Sequence, residues 1–441
     1  MRIQLKWSSI DKLLLTVFLL LVIFGLMTVY SSSFKTEKDT ILNFSSVAGK
    51  QFSWVIISIT VGIIILLMEG QFINNMSYVF YAFIVLLLIG VLFMPSIKGA
   101  KSWFQIGSAS IQPSEFAKLA CSLAIAKYLG SVNVKIQDFK TKLYVILLLV
   151  FPAFLILMQP DPGTMLVFIA FIFVMYREGL SGNVLLFGFF ASIILVIGIF
   201  LKASDSSINI FSIDFSGNYI FSIVLLFLGG LIFLIIKLFV LPRYRKSKYI
   251  GVIWATIIAI IITLGVSYVY DNLFKDRHRD RFQIMFGIKE DRKGVGYNIY
   301  QALAAIGSGE TNGKGYLKGT LSNNRYKHVP EQNTDFIFCS YAEEWGYLGN
   351  LIFIALYITL LVRIIIIAER QRSKFTRIFG YCVASIFFFH FMINIAMVIG
   401  LAPVIGIPLP LFSKGGSSIL TFTVMIFIFL RLDAERKEIL R

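Results

Sequence analysis

The chain has 441 residues, of which 57% are hydrophobic and only 15% are charged. Soluble globular proteins carry about 25% charged residues, so this composition excludes an ordinary soluble enzyme, a disordered chain and a fibre, and it indicates a polytopic membrane protein. The net charge of +17 is explained more economically by basic loops at a membrane surface than by nucleic acid, and we expect no nucleic-acid partner.

Apolar segments long enough to approach a bilayer span recur along the chain, since a spanning helix needs about 20 apolar residues. We predict membrane helices at residues 12–31, 52–69, 77–95, 115–130, 142–159, 164–178, 184–201, 218–240, 249–270, 336–368, 376–400 and 415–432. The first segment is too long for the apolar core of a signal peptide and lacks an obvious cleavage site, so we interpret it as a retained helix.

Lysine and arginine are unevenly distributed between alternate loops, with the strongest clusters at 243–248 and 370–377. The positive-inside rule places these loops and both termini in the cytoplasm. The same topology places the long polar stretch 271–335 outside, where its glycines and its aromatic and aliphatic residues predict short helices on the membrane face. We treat residues 1–441 as one integral-membrane domain with this stretch as its large extracytoplasmic loop.

The first group of residues that suggests chemistry runs from Trp103 to Lys118. Pro113 suits the first turn of a helix, and Glu115 is favoured there by the helix dipole. Lys118 lies one turn further on the same face, inside an apolar helix, and ionisable residues in the membrane are functional candidates. We predict that Glu115 and Lys118 pair and face a cavity within the helix bundle, whereas Trp103 fits an interfacial anchor or a ligand contact.

Two aspartates stand at the boundary between polar and apolar sequence. Asp161 lies in a turn with two prolines and a glycine, where it either caps the following helix, the interpretation we favour, or faces a cavity. Asp335 stands where the outer loop enters an apolar helix. It fits either an N-cap or a general base whose pKa is raised by partial desolvation.

A series of glycines between 294 and 319, accompanied by Lys314 and Lys318, suggests a phosphate-binding loop. The Walker spacing is absent, because Ser308 stands at the first glycine position and Gly315 at the Ser/Thr position. Close backbone approach to another phosphate group stays open. Further along, Glu343 and Glu344 are adjacent and point to different faces, so at least one must face the bundle interior.

Polar residues also occur within the last apolar segments. His390 is more typical of a hydrogen bond between helices than of a ligand contact, and the prolines and glycines at 403–416 indicate non-helical backbone at membrane depth. No two histidines or cysteines have metal-ligand spacing, so we expect no transition-metal site. Cys121, Cys339 and Cys382 are interpreted as apolar core residues without a disulfide.

These motifs resemble, in order and as a set, those of the SEDS (shape, elongation, division and sporulation) glycosyltransferases of bacteria. The resemblance rests on the sequence runs at 99–104, 112–118, 159–164, 330–338 and 403–418. The stretch 294–320 is similar to the elongation branch rather than the division branch. In this chain Ser102 stands where an arginine commonly precedes the tryptophan, Pro162 replaces a leucine, and Lys414 replaces a tyrosine.

The resemblance implies an all-α bundle of ten core transmembrane helices in the bacterial cytoplasmic membrane. The segments 218–240 and 249–270 would then be two additional helices. It also implies polymerisation of lipid II, a disaccharide carried on undecaprenyl pyrophosphate, into glycan strands on the outer face during cell elongation. Asp335 matches the catalytic position of the family, and we assign it the role of the base that removes a proton from the acceptor 4-hydroxyl group.

The resemblance and the residue types together give a set of candidate substrate-binding residues. Basic residues among them would neutralise the leaving pyrophosphate. The candidates are Trp103, Glu115, Lys118, Asp161, Arg279, Arg281, Lys314, Lys318, Glu331, Lys414 and Ser417. No cofactor is assigned, and assistance by a divalent cation is left open.

The resemblance implies a class B penicillin-binding protein and other membrane proteins of the elongation complex as partners. Three alternatives to an elongation polymerase stay open from the sequence. They are a flippase for the lipid-linked precursor, a scaffold that only recruits wall enzymes, and a division-type enzyme with the same chemistry.

Overall fold

The computed structural model describes residues 9–34, 43–44, 46–96, 101–107, 109–210, 213–272, 274, 276–289, 296–322 and 332–437. The described part is mostly helical, and ten of its helices are long and apolar enough to cross a membrane. These ten are α1 (Lys12–Ser33), α2 (Val47–Leu67), α3 (Gly70–Val91), α5 (Phe139–Met158), α8 (Gly182–Ala203), α9 (Gly217–Phe239), α10 (Pro242–Asn272), α13 (Ile337–Glu369), α14 (Lys374–Val398) and α15 (Gly416–Ala434). The expected polytopic helical fold is therefore confirmed.

The other two predicted segments are helical but do not qualify as spans by length and composition. One is α4 (Pro113–Gly130), which carries Glu115 and Lys118 and is almost wholly buried by neighbouring helices. The other is broken into α6 (Pro162–Val167), a 3₁₀ turn (Phe168–Ala170) and α7 (Phe171–Arg177). At 1.5 Å per residue, the stretch from Pro162 to Arg177 falls short of a bilayer core of about 30 Å.

The described residues also form two short antiparallel hairpins, which the all-helical expectation did not include. In the first, β1 (Phe104–Ile106) pairs with β2 (Ala109–Ile111), with Phe104 opposite Ile111. Gly107 follows β1 with a φ of +62°, a conformation that glycine adopts at low cost. The second hairpin joins β3 (Ser207–Ile210) to β4 (Ile213–Ser216).

The described chain divides into two compact units, and the first comprises Met1–Leu180 with Asn298–Arg441. Within it, α15 is the most enclosed span and packs against α2, α4 and α14. Gly62 permits the approach of α2, because a Cβ there would lie 2.7 Å from the Phe427 ring. The centre of this unit therefore consists of α4, α14 and α15, surrounded by more exposed helices.

A buried ionic cluster ties three helices of this unit together at one end. Asp11 caps α1 by accepting a hydrogen bond from the Leu14 N–H at 3.0 Å. Its carboxylate also pairs with Arg363 at 2.6 Å and Arg370 at 3.2 Å, and Arg370 pairs in turn with Asp433. Burial acts to raise the pKa of Asp11, but the Arg363 hydrogen bond and the neighbouring positive charges outweigh it and hold that pKa below its ordinary value.

The second unit, Ser181–Tyr297, contains α8, the hairpin of β3 and β4, α9, α10 and the short helix α11 (Asp276–Met285). The two additional helices expected from the sequence are thus α9 and α10, although α10 extends further at both ends than predicted. Helix α12 (Tyr297–Ser308) follows, and the chain rejoins the first unit at its second residue. The short helices expected in the stretch 271–335 are present. The side of the membrane on which this stretch lies stays a prediction, as does the description of residues 1–441 as one domain.

Candidate functional site

A polar cavity of about 400 Å³ opens in the first unit where α4, α6 and the start of α13 meet the loop before α15. Six residues selected from the sequence share this cavity, namely Trp103, Glu115, Asp161, Asp335, Lys414 and Ser417. The remaining lining residues are Ser102, Gln112, Pro160, Thr164, Thr334, Gly406, Pro408, Gly415 and Ser418. Their convergence from distant parts of the chain marks this cavity as the candidate active site, although the role of each residue stays a prediction.

The first hairpin positions two sides of this cavity. Trp103 immediately precedes β1 and is half-buried, while its neighbour Ser102 is buried and donates a hydrogen bond to the Gln159 carbonyl at 3.1 Å. At the other end, the Gln112 N–H donates to Ser417 Oγ at 3.0 Å. Pro113 then occupies the first turn of α4, as predicted, so the hairpin leads directly into the helix that carries the charged pair.

Glu115 and Lys118 form the predicted pair, with Lys118 Nζ 2.9 Å from Glu115 Oε2. Lys118 is fully buried and also lies 2.9 Å from His390 Nε2. His390 Nδ1 is 3.1 Å from the Pro408 carbonyl, which can only accept, so Nδ1 carries the proton and Nε2 accepts from Lys118. The interpretation of His390 as a helix-to-helix hydrogen bond is confirmed, but its partner was not foreseen.

Asp161 performs both functions that the sequence left open, because it caps α6 and lines the cavity. Its Oδ1 accepts the Thr164 N–H at 3.1 Å. Its Oδ2 accepts from Thr164 Oγ1 at 2.8 Å and from Gln112 Nε2 at 2.9 Å. Asp161 therefore links the turn before α6 to the start of α4 and fixes one wall of the cavity.

Asp335 is half-buried at the mouth of α13 and is not the N-cap. The helix begins at Ile337 with Phe336 at the cap position, so the capping alternative was wrong. The Asp335 main-chain carbonyl accepts from Asn394 Nδ2 at 2.9 Å. Its carboxylate faces Gly406, where a Cβ would lie 3.4 Å from Oδ2. These contacts hold the Asp335 backbone against α14 and the loop before α15.

The loop before α15 is non-helical, as predicted, and side-chain hydrogen bonds replace the missing helical ones. Asn394 donates to the Ile407 carbonyl at 2.7 Å, and Ser413 Oγ donates to the Thr334 carbonyl at 2.7 Å. The Gly415 N–H donates to Gln51 Oε1 at 3.1 Å. The Lys414 N–H donates to the Asn333 carbonyl at 2.9 Å, and Lys414 and Asp335 both line the cavity. The bond between Lys414 and Asn333 joins the loop before α15 directly to the segment before α13.

Glu343 and Glu344 are both buried. The prediction was that at least one of them faces the bundle interior. Glu343 accepts from Lys314 Nζ at 2.6 Å and from the backbone N–H groups of residues 320–322 at 2.8–3.0 Å. Glu344 accepts from the Leu317 N–H at 3.1 Å and from Ser31. The two carboxylates thus anchor the loop 314–322 onto the first turns of α13.

Two glycines of the series, Gly313 and Gly315, serve this anchoring. Gly313 has a φ of +77°, and a Cβ there would lie 2.1 Å from the Glu344 carbonyl oxygen. The Lys314 and Gly315 N–H groups both donate to carbonyls of α13, at 3.0 Å. Because these N–H groups already have acceptors, the open suggestion that they bind a phosphate group loses its support.

The remaining basic candidates, which are Lys314, Lys318, Arg279 and Arg281, are not among the residues that line the cavity. Lys314 pairs with Glu343, and Lys318 is exposed. Arg279 and Arg281 belong to α11 in the second unit, where Arg279 donates to the Tyr270 and Asp271 carbonyls at 2.9 and 2.7 Å. Glu331 lies outside the described residues. The assignment of the four basic residues to pyrophosphate binding, and of Glu331 to substrate binding, stays a prediction.

Several polar residues that support the cavity were not selected from the sequence as site residues. Gln51 and Asn394 hold the loop before α15, and Gln112 bonds to Asp161. The sequence did contain a signal for these residues, because each is an amide side chain within an apolar helix or beside one. A buried amide is costly unless it is hydrogen-bonded. Among the described residues there is no group of three or more His, Cys, Asp or Glu side chains arranged to hold a metal ion.

The fold and the cavity define a polytopic membrane protein whose candidate active site is assembled from loops and helix ends. The family model for FtsW, RodA and SpoVE, described as "Cell cycle protein", matches residues 11–212 and 228–438. The peptidoglycan glycosyltransferase RodA of Treponema pallidum (strain Nichols) is 30% identical, over 97% of this chain and 98% of its own length. The peptidoglycan glycosyltransferase MrdB of Escherichia coli (strain K12) is 27% identical, over 98% and 96%.

The fold has a solved counterpart as well. A chain from a study titled "Structural coordination of polymerization and crosslinking by a peptidoglycan synthase complex" superposes with a TM-score of 0.68 at 23% identity, over 98% of this chain and 99% of that one. This chain belongs to the FtsW/RodA/SpoVE family, the SEDS family that its motifs resemble.

Proposed function

We propose that this protein polymerises lipid II into glycan strands on the outer face of the bacterial cytoplasmic membrane during cell elongation. It is a multi-pass peptidoglycan glycosyltransferase of that membrane. The observation that carries the finer proposal is the position of the Asp335 carboxylate in a polar cavity that also contains Lys414, Asp161 and Trp103.

In the proposed reaction, Asp335 accepts the proton of the acceptor 4-hydroxyl group. The freed oxygen attacks C1 of the donor sugar from the face opposite the pyrophosphate, the C1–O bond to the pyrophosphate breaks, and configuration at C1 inverts. General-base assistance of this kind contributes about 10²–10⁴-fold in rate. The half-buried position of Asp335 supports the assignment, because the carboxylate is accessible to a substrate and yet partly shielded from water.

The leaving pyrophosphate needs positive charge near the point of bond cleavage. Lys414 is the lysine among the cavity-lining residues, and its backbone is fixed against Asn333, two residues before Asp335. Lys118 lies deeper, and its charge is shared with Glu115 and His390. We therefore assign the pyrophosphate contact to Lys414 and the organisation of the cavity to Lys118.

The apolar helices of this protein match a substrate that stays in the bilayer. Most of the protein is membrane-spanning helix, so the undecaprenyl chain would remain in lipid while the sugar reaches the polar cavity. We further propose a class B penicillin-binding protein as the partner that cross-links the strands. The similarity of the fold to a chain of a peptidoglycan synthase complex supports this pairing.

The proposal is tested with purified protein in liposomes that contain labelled lipid II. The polymerase account predicts glycan strands, and transbilayer movement of lipid II without polymer would instead support a flippase. Parallel reactions with a chelator, and with and without the penicillin-binding partner, establish whether a divalent cation or the partner is needed. Failure to form polymer under every one of these conditions contradicts the proposal.

A further inference from the structure

The turn between α9 and α10 concentrates positive charge without compensating negative charge. Five basic residues, which we call the α9–α10 basic cluster, occur between positions 237 and 248, whereas residues 217–270 contain no Asp or Glu. The cluster consists of Lys237, Arg243, Arg245, Lys246 and Lys248. All but the half-buried Arg245 are exposed, and within the described ranges no ion pair involves any of the five. Arg245 donates to the Val240 carbonyl at 2.7 Å.

An apolar groove of about 470 Å³ lies among α8, α9 and α10 in the same unit. Its lining is aliphatic and aromatic apart from Thr256. The lining residues are Phe187, Phe190, Ala191, Ile194, Leu225, Leu228, Gly229, Ile232, Val252, Ala255, Thr256, Ala259 and Ile262. A Cβ on Gly229 would lie 2.4 Å from Thr256 Oγ1, so α9 and α10 approach closely there and border the groove.

The groove and the basic cluster have the spacing of a lipid headgroup and its acyl chain. At 1.5 Å per residue, Val252 lies about 6 Å along α10 from Lys248, and Ile262 lies about 21 Å from it. Half of a bilayer core is about 15 Å thick. Between the two features, Phe233 and Tyr249 stack with ring centroids 3.9 Å apart, and aromatic rings are enriched at this depth of a membrane.

The position of the groove indicates a lipid chain as the occupant. The groove lining extends roughly 15 Å along α10, which is about the thickness of one leaflet of the bilayer core. This length suits an acyl chain whose headgroup lies at the α9–α10 basic cluster. The uncompensated positive charge beside the groove selects a negatively charged headgroup.

We propose that the second unit binds an anionic phospholipid of the cytoplasmic leaflet. The lipid phosphate contacts the α9–α10 basic cluster, and one acyl chain occupies the apolar groove among α8, α9 and α10. This site is separate in sequence from the catalytic residues and assigns a role to the two helices that were expected as additions to the family fold.

The headgroup half of the proposal is tested by native mass spectrometry of the full-length protein in detergent, titrated with phosphatidylglycerol or phosphatidylcholine of equal chain length. Since each basic residue near a membrane surface contributes about a fivefold factor, the triple variant R243Q/K246Q/K248Q should bind phosphatidylglycerol at least about tenfold more weakly. The control K135Q/K140Q/K142Q removes equal charge from the loop between α4 and α5 and from the first turn of α5, and it should bind as the wild type does.

The acyl-chain half is tested with Ala255→Phe, which fills the groove and keeps the charge. This variant should lose the preference of the wild type for dioleoyl over dioctanoyl phosphatidylglycerol, whereas Ile253→Phe, outside the groove lining, should retain it. Equal binding of phosphatidylglycerol and phosphatidylcholine by the wild type overturns the proposal. It is also overturned if the triple charge variant keeps the wild-type affinity for phosphatidylglycerol and Ala255→Phe keeps the wild-type preference for dioleoyl chains. Neither measurement depends on polymerisation, so failure of the proposed catalytic function would leave the result unaffected.

Discussion

Lys118 on α4 and His390 on α14 are in direct contact, with Lys118 Nζ 2.9 Å from His390 Nε2. A fully buried ammonium group is costly unless hydrogen-bonded acceptors surround it. Here Glu115 supplies one acceptor and a neutral His390 supplies another. Because His390 is itself held by the Pro408 carbonyl, the contact connects α4 to the loop that completes the cavity.

We predict that His390→Leu lowers polymerisation at least tenfold, whereas His390→Gln stays close to wild type. The glutamine amide has an oxygen that accepts from Lys118 and an N–H that donates to Pro408, and leucine has neither. Loss of one acceptor of a buried charged group costs about 1–3 kcal/mol. Initial rates over a range of lipid II concentrations measure the effect on activity, and thermal unfolding measures the effect on stability. Equal activity of the two variants would show that the contact has no positioning role.

We predict that Glu343→Gln loosens the loop 314–322 and lowers stability. The buried carboxylate accepts hydrogen bonds from Lys314 and three backbone N–H groups, and loss of the charge of a buried pair costs about 3–5 kcal/mol. Hydrogen–deuterium exchange should show reduced protection of this loop. Glu310→Gln, at an exposed position nearby, serves as the matched control. Unchanged protection in Glu343→Gln would exclude Glu343 as the anchor.

We predict that Gly406→Ala impairs catalysis more than Gly400→Ala does. Both glycines have positive φ, at +84° and +78°, so both alanines carry a backbone cost of about 1–2 kcal/mol. At position 406 the added methyl group would also lie 3.4 Å from Asp335 Oδ2, whereas at position 400 it would meet the Ile299 side chain. Rate measurements normalised to folded protein separate the two effects. An equal loss in both variants would mean that a methyl group in contact with Asp335 has no consequence for catalysis.

We predict that Asp11 stabilises the protein at neutral pH but not in strong acid. Its pKa is held below the ordinary 3.8, so its contribution is complete above the unfolded-state pKa and is lost as pH falls through the folded-state pKa. Asp11→Asn should therefore reduce stability by about 1–3 kcal/mol at pH 7. The difference from wild type should narrow below about pH 4.

Thermal unfolding across pH 3–7 tests this prediction, with the exposed Asp138→Asn as a control that leaves the profile unchanged. A stability difference between Asp11→Asn and wild type that stays constant down to pH 3 would rule out the depressed pKa.

The sequence predicted helices best where hydrophobic length alone decides them, and every apolar segment that it indicated is helical. It missed the break between α6 and α7, because that break is a local turn inside an apolar segment. It also missed the hairpin of β1 and β2, because strands of three residues are too short to show a sequence pattern. The resemblance to the family motifs selected Trp103, Asp161 and Asp335, which all line the cavity. Spacing alone favoured an anchor for Trp103 and a helix cap for Asp161. The α4–α14 contact could not be predicted, because Lys118 and His390 are 272 positions apart and no local periodicity relates them.

The same limit applies to the basic residues. Charge alone made Lys314 a candidate for pyrophosphate binding, but the structure pairs it with Glu343, a partner that sequence position does not reveal. Lys414 became the stronger candidate because two loops that are far apart in the chain meet at Asn333. Which cation serves a ligand is therefore decided by tertiary contacts rather than by composition.

The central claim is that Asp335 is the base in glycan polymerisation. Its most direct test compares initial rates of lipid II polymerisation by wild type and Asp335→Asn in liposomes, with lipid II binding measured in parallel. Asparagine keeps the shape of aspartate but cannot accept the proton, so we predict a rate at least about 100-fold lower with binding retained. Polymerisation by Asp335→Asn at the wild-type rate would contradict the account.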